Sequence, residues 1–127
     1  MKKLLSLLLG ILGFASSCSA QHDSIKTVSA TEFAQIIQAD TVVVVDVRTA
    51  EEYNAGHIDG ARNIDVQKEN FQAEAVTSIP KDKTVAVYCR SGKRSLKAAV
   101  ILAKVGYHVV NLRGGWLECL FLNKVDT

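Results

Sequence analysis

The chain of 127 residues is 48% hydrophobic and 22% charged, with one proline, eight glycines and three cysteines. This composition fits one globular domain and excludes a disordered chain, a collagen-like or coiled-coil rod, a multi-span membrane protein and a disulfide-stapled miniprotein. The formal net charge of +2 comes from Lys2 and Lys3, and setting them aside leaves 13 basic against 13 acidic residues. Bulk charge therefore gives no support to a nucleic-acid partner.

Met1-Lys2-Lys3, an apolar run over residues 4–14 and small residues over 15–20 have the basic, apolar and small-residue regions of a secretory signal peptide. The run is too short to span a bilayer as an ordinary helix. Ala15-Ser16-Ser17-Cys18 is similar to a bacterial lipobox, with Ala15 where leucine is usual. That reading makes Cys18 the lipidated residue and a lipid anchor the contact with the membrane. Cys18 and Ala20 also occupy the small-residue positions of ordinary signal-peptidase cleavage, in which case Cys18 leaves with the signal. On either reading residues 1–20 are the signal and residues 21–127 the domain. The protein is then exported, periplasmic or a membrane-anchored bacterial lipoprotein, in a compartment that permits disulfides.

Ser29 and Glu32 have the spacing of a capping box, and Phe33, Ile36 and Ile37 recur at helical spacing, which predicts a short helix ending near Ala39. Residues 42–47 are β-branched apart from Asp46, the pattern of a strand buried on both faces. Thr49 and Glu52 form a second capping-box pattern, residues 56–60 a loop, and residues 61–64 an extended segment. Residues 67–78 predict one helix or two short ones. After Pro80, residues 84–88 are a second clear strand. Leu96, Ala99, Val100 and Ala103 share one helical face, with Gly106 just past the helix end. Residues 109–112 are a third strand, Gly114-Gly115 a turn, and residues 116–122 a final helix. Alternating strands and helices predict an α/β fold with a parallel sheet covered on both faces, whose ligand site lies beyond the carboxyl ends of the strands. Asp46, Arg48 and Cys89 fall there.

Cys89-Arg90-Ser91-Gly92-Lys93-Arg94-Ser95 joins the second clear strand to a helix. A thiolate placed there faces backbone N–H groups and the positive end of a helix dipole. Arg90, Lys93 and Arg94 add positive charge, so the Cys89 pKa is expected to fall and its nucleophilicity near neutral pH to rise. The alternative is an inert core cysteine.

At these residues the sequence resembles a single-domain rhodanese. Asp46-Val47-Arg48-Thr49-Ala50-Glu51-Glu52-Tyr53, Gly56-His57-Ile58-Asp59-Gly60-Ala61 with Asn63-Ile64, the loop from Cys89 to Ser95, and Leu112-Arg113-Gly114-Gly115-Trp116 stand in that family's order and spacing. The resemblance implies a three-layer α/β domain around a central five-stranded parallel sheet. It also implies a sulfurtransferase whose cysteine takes sulfane sulfur from a donor such as thiosulfate, carries it as a persulfide and hands it to a thiophilic acceptor, a small molecule or a protein thiol. Cys89 would carry the sulfur, held by N–H donors along residues 90–95 without a metal or cofactor. Within that stretch Arg90 and Lys93 would bind the anionic donor, Ser91 and Gly92 complete the ring, and Arg94 and Ser95 close the loop onto the helix. Two departures stand out: Asp59 replaces the family's usual proline, and the segment after Gly115 lacks its usual ending.

The fold also resembles that of certain dual-specificity phosphatases and arsenate reductases, whose loop has one more residue between cysteine and arginine. Here four residues, 90–93, separate Cys89 from Arg94, a smaller ring that suits sulfur better than phosphate. A non-catalytic persulfide-binding module that delivers sulfur to a protein is the other alternative. Asp46, Arg48, Glu52 and His57 are expected to support the loop structurally, Arg48 by pairing with Glu52 and His57 as a hydrogen-bonded turn residue. His22, His57 and His108 show no metal-ligand spacing with the cysteines. Cys119 is expected to fill an apolar position, with a resolving thiol as the sharper alternative.

Overall fold

The computed structural model describes residues 24–126; the expected signal segment, Cys18 and His22 lie outside the described residues. The elements in chain order are β1 (Ile25–Val28), α1 (Ala30–Ile36), β2 (Val42–Asp46), α2 (Ala50–Ala55), β3 (Arg62–Asn63), α3 (Phe71–Ser78), β4 (Thr84–Tyr88), α4 (Lys93–Lys104), β5 (Val109–Leu112) and α5 (Gly115–Asp126). The strands form one sheet in the order β1-β5-β4-β2-β3, every pairing parallel. It is the expected α/β fold with five strands.

The β-branched strands β2 and β4 lie at the centre, in register from Val42 opposite Thr84 to Asp46 opposite Tyr88. Successive side chains point to opposite faces of a strand. Val45, Val85 and Val87 therefore meet Phe71 and Ala75 of α3 and Ala98, Ala99 and Leu102 of α4. Val44, Ala86 and Tyr88 meet Ala30 and Phe33 of α1, with Trp116 and Cys119 of α5 packed against them. The alternation runs one residue past β4, so the buried Cys89 falls on the α3–α4 face.

Several local expectations need correction. The segment Ile25–Val28 is a strand that the sequence reading missed; only its ends are apolar, and it earns its place by pairing with β5 along the sheet edge. Helix α1 ends at Ile36, and its capping box is half formed. The Ser29 hydroxyl accepts the Glu32 N–H at 3.3 Å, while the Glu32 carboxylate turns to Lys26 at 3.0 Å. The α4 face is rotated from the expected one: Ser95, Ala98, Ala99 and Leu102 are buried, whereas Leu96 and Val100 are 48% and 39% exposed. Residues 98–103 are all apolar, so periodicity alone does not select a face. The small Ala98 and Ala99 settle it by letting the helix approach the sheet closely. Gly106 sits past the helix end at φ +104°, as expected.

This rotation separates two leucines of the same helix by consequence. Leu102→Ala is expected to cost about 2–5 kcal/mol through the cavity it leaves, and Leu96→Ala less than about 0.5 kcal/mol. Urea denaturation of the two variants checks the difference.

Candidate active site

Tyr88 ends β4, and residues 89–92 turn into α4 through Gly92, whose φ of +107° lies in the left-handed region. The Gly92 N–H points at the Cys89 Sγ, 3.1 Å away. The thiol donates to the Ser95 Oγ at 3.5 Å and that hydroxyl to the Gly92 carbonyl at 3.1 Å; once the thiol is ionised, the hydroxyl rotates to donate to the sulfur. Burial by itself would push the Cys89 thiol up. The Ser95 hydroxyl and N–H, together with the N–H groups of Gly92 and Ser91, outweigh it and hold the thiol below its ordinary value. The leading contributions thus come from neutral donors, not from the cations that the sequence reading also invoked. Cys119 behaves oppositely: burial, with Glu118 nearby, pushes its thiol up.

The N-terminus of α5 sets this arrangement from outside. Its Trp116 N–H donates to the Cys89 carbonyl at 2.8 Å and its Leu117 N–H to the Arg90 carbonyl at 3.1 Å. In a planar trans peptide C=O and N–H point in opposite directions. Drawing the Arg90 carbonyl toward α5 therefore turns the Ser91 N–H toward the sulfur. Two glycines make room. A Cβ on Gly92 would stand 2.2 Å from the Arg113 carbonyl oxygen, and one on Gly115 would stand 2.5 Å from that of Arg90.

Arg94 is engaged in a two-pronged ion pair with Glu52, Nη1 to Oε1 at 2.8 Å and Nη2 to Oε2 at 2.9 Å. Glu52 also completes the expected capping box with Thr49, so α2 and α4 are clamped together across the loop. The Arg94 guanidinium holds the Glu52 carboxyl down at about 2. The expected Arg48–Glu52 pair does not form. Arg48 folds back on Asp46, two residues away on the same strand end, with Nε to Oδ1 at 2.9 Å and Nη2 to Oδ2 at 2.6 Å. Its Nη2 also donates to the Gly56 carbonyl at 2.7 Å, and the guanidinium lies 5.6 Å from the Tyr88 ring centre and 5.2 Å from that of Trp116. With Asp46 and Arg48 both buried, such a pair must be satisfied internally, and a near neighbour on the same segment does this with the least ordering.

His57 is the hydrogen-bonded turn residue expected, its Nδ1 donating to the Tyr53 carbonyl at 2.8 Å while its ring stacks on Tyr53 at 3.7 Å. Arg90, Ser91 and Lys93 are exposed at the rim. Cys89 and Cys119 belong to apolar clusters on opposite faces of the sheet, and both are free thiols. Among the described residues no group of three or more His, Cys, Asp or Glu is placed to hold a metal ion. The sequence reading assigned no role to Tyr88, whose hydroxyl accepts the Ile58 N–H at 3.0 Å, or to the N–H groups that open α5. The Gly114-Gly115 pair before a helix was the available signal for the latter.

Comparison with known proteins bears on the family and the fold. The family described as Rhodanese-like domain matches residues 29–120. A sulfurtransferase of Allochromatium vinosum is 38% identical over 82 residues, 64% of this chain and 74% of its own. The thiosulfate sulfurtransferase GlpE of Shewanella oneidensis is 35% identical over 94 residues, 73% of this chain and 90% of its own. Among solved structures, the human single-domain sulfurtransferase superposes with a TM-score of 0.61 at 34% identity, covering 75% of this chain and 95% of the human one.

The clamp between α2 and α4 has a pH signature. Because the Glu52 carboxyl is lowered from 4.5 to about 2 in the folded chain, its stabilising contribution is complete above the unfolded value and is lost as pH falls through the folded one. Glu52→Gln is expected to cost about 1 kcal/mol at neutral pH. Denaturation of wild type and variant across acid pH should show that difference shrinking toward zero as pH approaches 2.

Proposed function

Since the chain belongs to the rhodanese-like domain family, we propose that it is a thiosulfate sulfurtransferase that carries sulfane sulfur as a persulfide on Cys89. The observation that carries this reading is the Cys89 sulfur buried at the end of β4, facing the Gly92 N–H and the Ser95 hydroxyl, with its pKa held down. The thiolate attacks the outer sulfur of thiosulfate, the S–S bond of the donor breaks, and sulfite leaves with the bonding electron pair. The outer persulfide sulfur is then an anion at a mouth lined by N–H donors, where such donors act strongly because little water competes. A nucleophile such as cyanide takes that sulfur and returns Cys89 to the thiolate.

Arg90 and Lys93, exposed and without an ion pair among the described residues, attract the dianionic donor. Arg94 is a positioning residue in this reading, since its guanidinium is engaged by Glu52. That engagement also counts against a phosphate-binding loop, which needs its arginine turned to the mouth. The proposal includes export, supported by the sequence pattern of residues 1–20, with Cys18 as the candidate for lipidation.

Intact mass of the purified protein before and after thiosulfate is expected to rise by one sulfur atom and to return on adding cyanide, with thiocyanate released. Cys89→Ala should show no gain. A folded protein with a free Cys89 thiol and no gain would overturn the thiosulfate reading.

A further inference from the structure

Leu117, Leu120 and Phe121 on α5 are 43%, 39% and 65% exposed. Spaced three and four residues apart, they lie on one face of the helix. The packed face is another one, where Trp116, Cys119 and Leu122 meet the sheet cluster. The exposed row begins at the sulfur site, because Leu117 is the residue whose N–H holds the Arg90 carbonyl. Beside it are the rim cations. Arg90 and Lys93 are exposed and unpaired among the described residues, and Arg113, with its side chain 67% exposed, reaches Glu118 only at 3.8 Å. Thiosulfate or cyanide needs the cations alone and makes no use of an apolar row running away from the mouth.

We propose that this row and the basic rim form the docking surface for a polypeptide acceptor whose thiol is flanked by apolar and acidic residues. The proposal rests on the persulfide reading above. Two features favour such a partner. Arg90 and Lys93 on the rim have no ion pair among the described residues, which complements acidic residues, and the row starts at the loop with Leu117, so a chain lying on α5 brings its thiol to Cys89. The acceptor thiol first loses its proton to solvent. Its thiolate then attacks the outer sulfur of the Cys89 persulfide, the S–S bond within that persulfide breaks, and the Cys89 thiolate departs with the electron pair. The product is a persulfide on the partner, with no external oxidant or reductant consumed.

The test loads the protein with thiosulfate, confirms loading by intact mass, and measures transfer to three probes. These are a synthetic peptide with cysteine among leucines and glutamates, a matched peptide with lysines for the glutamates, and cyanide. The acidic peptide is expected to have a KM about tenfold below that of the lysine peptide. The double variant Leu120→Gln, Phe121→Gln should raise the KM of the acidic peptide about tenfold while leaving loading and transfer to cyanide unchanged. Equal KM values for the two peptides, or for wild type and variant, would overturn the proposal. So would a variant that loses only co-sedimentation with phosphatidylglycerol vesicles, which would identify the row as a lipid-facing surface. Failure of the wild type to load defeats the persulfide reading itself and is distinguished from these by mass.

Discussion

Two hydrogen bonds from the first turn of α5 hold the site together. The N–H groups that open any helix lack partners within it, and here the Trp116 and Leu117 N–H groups take the Cys89 and Arg90 carbonyls. Those carbonyls are thereby turned away from the sulfur and the Ser91 N–H toward it. The tight approach requires glycine at positions 92 and 115, where any Cβ would collide with backbone carbonyl oxygens. The loop is consequently defined by backbone, and most of its side chains are free to serve the rim.

Charge is divided accordingly. Asp46 with Arg48, flanked by Tyr88 and Trp116, and Glu52 with Arg94 are each closed on themselves. They fasten the strand ends and helix starts around the loop, while Arg90 and Lys93 stay exposed with no ion pair among the described residues. Burial of a bare thiolate is costly, yet at Cys89 a hydroxyl and several N–H groups more than offset that cost. Fixed neutral dipoles lead this stabilisation, and the Arg94 guanidinium, held by Glu52, adds a Coulombic attraction to the sulfur.

Much of the architecture was legible in the sequence because the central strands bury both faces and so read as short, mostly β-branched runs. The second capping box, the glycine after α4 and the cysteine loop were legible for similar local reasons. Strand β1 was not, since an edge strand with Lys26 and Thr27 at its centre carries little apolar signal. The choice between Glu52 and Asp46 as the partner of Arg48 was equally hidden. Both carboxylates are near in sequence, and only the placement of α4, which brings Arg94 to Glu52, decides it. The α4 face was obscured by its nearly uninterrupted apolar run. The role of α5 depends on contacts between residues 89–90 and 116–117, of which the sequence shows only the Gly114-Gly115 pair that precedes the helix.

The central claim is that neutral donors, more than cations, stabilise the Cys89 thiolate. Its most direct test is the thiolate titration of Cys89, followed by ultraviolet absorbance against a Cys89→Ala control at low and at high salt. A midpoint below the ordinary cysteine value that barely moves with ionic strength is the predicted result, because short hydrogen bonds to a buried sulfur are little screened. A midpoint that climbs toward the ordinary value as salt is added would contradict the account and assign the effect to Arg90, Lys93 and Arg94.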